Sequence, residues 1–410
     1  MAIEVMLEGT LEEEKDFEGY MKFIQEIAIQ NQMKMEIYED SAFIEVCPEG
    51  YIEISCENLF LSICAQTNVA GPGFHAFICS FFHQLQDKSP LALTASDPTG
   101  YYEQQNFEHL KYGIFHRWLS DIAAFVKQHE GSDEELCISW PLVDYYQPKY
   151  KEGSVVTPLG YIKVKDFYET DVNELADYFF IWNHLERDAL YYRNAALNLL
   201  WKECRFQYSN MNEDTKKQTD TILDLLEIAY EKDKELPLPV NEYLCLCTLR
   251  GRKKGLDDAT AMNCPFKIGY RHDIVEYRYG NWSIPANGFC EKSYDYRNEI
   301  CCLIAPYENE NDPWKWMYRF GAVNESISVV KQAQEWEIYG EVLQWTRKEV
   351  SGAAVCMPQE DHILIEALLE CNQEYLSVQL IVLDEADKAE LIQWLQAISY
   401  QKKSNADTQA

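Results

Sequence analysis

Apolar and polar residues alternate through three short runs between residues 42 and 65. AFIEVC (42–47) turns at Pro48-Glu49-Gly50 into YIEISC (51–56), where Ile52, Ile54 and Cys56 alternate with Glu53, Ser55 and Glu57. Glu57-Asn58 then leads into LFLSICA (59–65). A period of two, broken by turn residues, predicts an antiparallel meander with one face toward solvent. Upstream, residues 3–8 read as a strand. Residues 12–31 read as a helix with Phe17, Met21, Ile24 and Ala28 on one stripe. Gly71-Pro72-Gly73 ends the meander and opens an apolar helix over 73–86. A strand over 91–95 follows, and then a helix with Asn106 as N-cap. Residues 1–130 are therefore expected to form an α/β sandwich built on that meander.

The period then weakens. Residues 131–170 hold several prolines and tyrosines and read as a connecting segment with one short hairpin. From 171 to 262 the spacing becomes helical. Leu197, Leu200, Trp201 and Cys204 fall at i, i+3, i+4 and i+7, and Ile222, Leu225, Leu226 and Ala229 repeat the stripe before Pro237 stops it. Together with a third helix over 239–249 they predict a helical hairpin region. Its second helix, with the exit AYEKDKELPLP, resembles the end of a tetratricopeptide repeat. The Trp and Gly signature of that repeat's first helix is missing, and no second copy follows.

Residues 263–400 return to strand patterning. DIVEYRYGNWSIP, EICCLIAP (299–306) and WKWMYRFG (314–321) are strand candidates. DHILIEALLE and YLSVQLIVLD alternate around Cys371-Asn372-Gln373-Glu374, which predicts a hairpin. A closing helix capped by Asp384 carries Leu391, Trp394, Leu395 and Ile398 on one side. The fold class expected is thus multidomain α+β, with an antiparallel α+β domain at 263–400 and a polar, disordered tail at 401–410.

Charge narrows the partners. The formal net charge of −32 opposes binding to nucleic-acid phosphates and to anionic membrane surfaces, so neither is expected as a partner. MAIEVMLEGTLEEEK lacks a basic segment followed by an apolar one, and no apolar run is long enough to span a bilayer. The 14 cysteines are scattered, without paired C-x-x-C spacing, which fits reduced thiols in a cytoplasmic protein and no metal or cofactor.

Candidate chemistry concentrates at two strand-to-helix loops, 67–75 and 96–102. Glycines there would free backbone N–H groups at a helix N-terminus, where the dipole favours anions. Asn68, Gly71, Gly73, Thr99 and Tyr101 are the ligand-binding candidates, and His75 and Asp97 the candidate catalytic pair. If the strands before the two loops are parallel neighbours, both loops open at one sheet edge. No G-x-G-x-x-G, Walker, H-E-x-x-H or G-x-S-x-G pattern accompanies them. The reading that absorbs most of the sequence is a non-catalytic adaptor that binds other proteins through its Tyr- and Trp-rich surfaces. An enzyme or small-ligand site at the two loops is the alternative.

Overall fold

The fold was analysed on a computed structural model. It describes residues 3–13, 16–38, 41–131, 136–138, 147–148, 153–210, 212–257, 261–262, 264, 274–295, 297–305, 314–323 and 326–400. The expected tail at 401–410 and most of 132–152 lie outside these residues.

The first sheet grows from the meander. Strands β1 (Glu4–Thr10), β2 (Lys34–Ile37), β3 (Ser41–Cys47), β4 (Gly50–Glu57), β5 (Phe60–Gln66) and β6 (Thr94–Ser96) line up in the order β2-β3-β4-β5-β1-β6. The turns joining β3 to β4 and β4 to β5 place Glu49, Asn58 and Leu59 at positive φ. Helices α1 (Asp16–Gln30) and α2 (Pro72–Lys88) cover one face, where Val5, Leu7, Ile44, Ile52, Ile54, Leu61 and Ile63 are buried. The opposite face stays wet, as the alternation predicts. β5 and β6 are not neighbours: β1 lies between them and pairs antiparallel with both. They still run the same way, so the loops that follow them open at one edge.

Beyond that edge lie the short α3 (Tyr101–Gln104), a π-helical stretch His109–Phe115, and α4 (His116–Gln128), with Asn106 accepting from the His109 N–H. Strands β7 (Leu136–Cys137) and β8 (Gln147–Pro148) precede the expected hairpin, β9 (Ser154–Thr157) and β10 (Gly160–Lys163). Short helices α5 (Val164–Glu169) and α6 (Val172–Asp177) follow, and then α7 (Ala189–Lys202), α8 (Glu213–Lys232) and α9 (Val240–Arg250). Leu197, Leu200, Ile222 and Leu226 do not close a core of their own. They join the same apolar cluster as the first sheet. The junction is also polar: buried Lys202 pairs with Glu49 at the β3–β4 turn, and the Asn198 amide donates to Glu49 and to the Pro158 carbonyl.

The rest is antiparallel. β11 (Ile274–Tyr279) and β12 (Trp282–Asn287) pair with each other, and β8 joins β11 at its outer edge. Strands β13 (Glu291–Asp295), β14 (Ile300–Ala305) and β15 (Trp316–Val323) lead to helix α10 (Val329–Trp336). β16 (Glu341–Arg347), β17 (Val350–Pro358), β18 (Ile363–Cys371) and β19 (Glu374–Val382) then complete a sheet ordered β13-β14-β15-β19-β18-β17-β16. The β18–β19 turn places Asn372 and Gln373 at positive φ, as a two-residue hairpin turn of the mirror-image type demands. Asp384 caps α11 (Glu385–Ala397), whose Leu391, Trp394 and Leu395 are buried in the core of this sheet, and β20 (Ser399–Tyr400) ends the described chain. The fold is α+β with several antiparallel sheets. Among the described residues no helix is long and apolar enough to cross a membrane.

Candidate functional site

The Gly-Pro-Gly turn is shaped by a segment of the same chain. Residues 180–182 lie alongside the turn: Ile181 N donates to Val69 O, Trp182 N to Ala70 O at 2.8 Å, and Gly73 N to Trp182 O at 2.9 Å. Gly71 has φ +100°, and a Cβ there would stand 2.8 Å from both Phe180 Cβ and Trp182 O. A Cβ on Gly73 would overlap the Trp182 ring and the His184 carbonyl oxygen. Both glycines are therefore required by backbone approach. Helix α7 anchors this strap from behind. Asn194 donates to the carbonyls of Asp177 and Phe180, and buried Arg193 donates to the Asp177 carbonyl. Arg187 lies over the Trp182 ring, 4.6 Å from its centroid. One donor that an anion would seek at the N-terminus of α2, the Gly73 N–H, is thus taken by Trp182 O.

Beneath the turn, the two loops meet. His75 is 0% exposed; its Nδ1 lies 3.0 Å from Thr67 Oγ1 and its Nε2 3.2 Å from Thr99 Oγ1 and 3.5 Å from Asp97 Oδ1. Thr67 gives its own proton to the Ile3 carbonyl, so Nδ1–H donates to Thr67. Thr99 Oγ1 gives its proton to Asp97, at 2.7 Å. Both ring nitrogens therefore face oxygen atoms, with the Asp97 carboxylate beside Nε2. Asp97 also accepts from the N–H groups of Thr99 and Tyr102, each at 2.8 Å. Burial pushes the Asp97 carboxyl up. The His75 hydrogen bond, the Tyr102 N–H, the His75 charge and the Thr99 hydroxyl outweigh it, and the group lies well below its ordinary 3.8.

The remaining candidates join the same lock. Asn68 Oδ1 accepts from Ile3 N, tying the start of β1 to the loop. Thr99 and Gly100 form the turn into α3, and the half-buried Tyr101 ring stands edge-on to His75 with centroids 6.0 Å apart. All seven predicted residues thus lie on the two loops that open at one sheet edge, and Ile3, just before β1, is bonded to the first of them through Thr67 and Asn68. The Asp97 side chain is 1% exposed. The His75 and Asp97 side chains are closed to solvent, while Asn68, Thr99 and Tyr101 are half-buried around them, and the hydrogen bonds hold the two loops together.

Sequence reasoning passes over one neighbour. Cys79 lies one turn after His75, and donor atoms of His75, Cys79 and Asp97 come within 4.8 Å of one another. These are the side chains here that a metal would use, and the i, i+4 spacing of His75 and Cys79 is a signal readable from sequence. The imidazole and carboxylate are saturated by protein partners. Burial and the nearby Asp97 carboxylate push the Cys79 thiol up, so it stays protonated. Comparison with protein-family models, with curated proteins and with solved structures returned no match.

Proposed function

We propose that this chain is a non-catalytic cytosolic interaction protein, an adaptor in a multi-component assembly. The observation that carries the reading is the uncovered face of the first sheet. Phe43, Tyr51 and Phe60 point outward from β3, β4 and β5 with exposures of 38%, 44% and 47%. Tyr38 extends the patch past β2, its ring 5.9 Å from that of Phe43, and Glu36, Glu45 and Glu53 surround it together with Lys34, which pairs with Glu36. Aromatic residues grouped within an acidic rim match the make-up of a protein-docking surface, and its charge favours a basic partner. The test is affinity capture from native lysate with the wild-type chain and with Phe43→Ser/Tyr51→Ser. A partner recovered stoichiometrically by the first and lost by the second supports the reading. Identical recovery by both removes this face from it.

A second reading, an enzyme or small-ligand site at loops 67–75 and 96–102, is favoured by one observation, the 3.5 Å approach of His75 to Asp97. It requires the strap at 180–184 to leave the Gly-Pro-Gly turn. A metabolite that raises the melting temperature of the wild-type chain and not of His75→Ala would support it.

A further inference from the structure

A second cluster of titratable side chains lies on the strap, outside the two loops. His184 Nδ1 stands 2.5 Å from Asp188 Oδ2. Asp188 Oδ1 also accepts from the Tyr191 N–H as the cap of α7. With Nδ1 turned to this carboxylate, Nε2 faces away from Asp188. It faces Asp177, whose Oδ1 is 3.9 Å distant, too far for a hydrogen bond. Asp177 is fixed in turn by the Asn183 amide at 2.7 Å. The three side chains His184, Asp177 and Asp188 are 40%, 39% and 41% exposed. A ring nitrogen and a carboxylate oxygen thus oppose each other across 3.9 Å in side chains that water reaches.

The local field favours a cation. Glu108, Asp177 and Asp188 lie close enough to act on Lys111, the one ammonium among them. Lys111 forms no ion pair with either aspartate among the described residues, and its ammonium lies over the Tyr112 ring, 5.3 Å from the centroid. It does not fill the gap. The start of the strap and the end of α6 are both held in place, because Asn194 and Arg193 donate to the Phe180 and Asp177 carbonyls.

We propose that His184 Nε2 and Asp177 bind a first-row divalent transition ion of the zinc class, with water in the remaining positions and Asp188 as the carboxylate that orients the imidazole. An imidazole whose second nitrogen donates to a carboxylate is the usual form of a metal-ligating histidine. One nitrogen and one carboxylate oxygen suit zinc-class ions better than calcium or magnesium. In a tetrahedral site, ligand bonds of about 2.1 Å separate the two donors by about 3.4 Å, so the half-exposed side chains close by about 0.5 Å on binding.

The test is titration of the full chain with Co2+ at neutral pH, followed by visible absorption. The expected result is a single cobalt site without a thiolate charge-transfer band. Its affinity falls at least tenfold in His184→Ala and in Asp177→Asn, and about tenfold in Asp188→Asn, which keeps the helix cap. Asp177→Asn preserves an acceptor for the Asn183 amide, so its result stands even if His184→Ala folds poorly. The proposal fails if wild type and Asp177→Asn titrate alike, as they would for diffuse binding to an acidic surface. It fails equally if the only cobalt species carries a thiolate band, which would place the ion at a cysteine site.

Discussion

Gly73→Ala separates a strap-packed turn from a ligand loop. Residue 73 is the second residue of α2, where alanine should gain helix propensity over glycine, by up to about 1 kcal/mol in a helix interior and less at its first turn. Against that, the new methyl meets the Trp182 ring and the His184 carbonyl, in a strap fixed by Asn194 and Arg193. Overpacking of this kind costs about 1–3 kcal/mol, and contact with held backbone places the cost at the upper end. The net expectation is a loss of about 2 kcal/mol, a factor of about 30 in the folding equilibrium. Gly19→Ala is the matched control. It lies in α1, with nothing within 4 Å of a Cβ, and should gain up to about 1 kcal/mol. Urea unfolding of the three proteins measures both. If Gly73→Ala is as stable as wild type while Gly19→Ala gains, the strap does not hold the turn and the argument for its glycines collapses.

Three other outcomes follow from the same geometry. Asp97 has a depressed folded-state pKa, so its contribution is fully present above the ordinary value of 3.8 and is lost as pH falls below it. Asp97→Asn should cost about 3 kcal/mol at pH 7, a penalty that shrinks in unfolding curves taken progressively below pH 3.8; a penalty constant with pH would dismiss the ion pair. Lys202→Met leaves the Glu49 carboxylate without its partner at the junction of α7 and the first sheet, and should cost about 3–5 kcal/mol by chemical unfolding. Adding Glu49→Gln should return part of that loss, whereas additive effects would mean that the two side chains do not interact. Phe43→Ser/Tyr51→Ser should leave the unfolding midpoint nearly unchanged, since each residue is more than a third exposed, while abolishing capture of the partner.

What is legible in the sequence is what short-range pattern encodes. The meander 41–66 and the hairpin 363–382 can be read because a period of two meets turn residues that accept positive φ, such as Asn58 and Asn372. Helix caps at Asn106 and Asp384 are legible for the same local reason. The strand order is not. Nothing in residues 59–96 announces that β1 will insert between β5 and β6, because that choice is made by pairing across about 50 to 90 residues of chain. The gathering of His75, Asp97, Thr99 and Asn68 can be argued from loop positions alone. The packing of the Gly-Pro-Gly turn depends on a strap about 110 residues later that has neither strand nor helix period. The π-helical stretch 109–115 and the His184–Asp188 pair are equally silent in a periodicity plot, although an i, i+4 His and Asp is a spacing worth marking.

The edge where the strands end is the usual place for a ligand in sheets whose loops open together. Here the chain supplies its own occupants. Trp182 O takes the Gly73 N–H, and Asp97 takes the N–H groups of Thr99 and Tyr102 and faces the His75 ring, so these partial positive charges already meet oxygens of the chain itself. A cluster satisfied this way gains little from a bound anion, which would have to displace hydrogen bonds already made in a low-dielectric setting. The groups left with capacity are those that the core does not use: the aromatic face of β3–β5, and the His184 and Asp177 lone pairs on the outside of the strap. Gly-Pro-Gly accordingly acts as a joint between the first sheet and helix α7. On the reading proposed above, recognition falls to the two outward surfaces on either side of this joint.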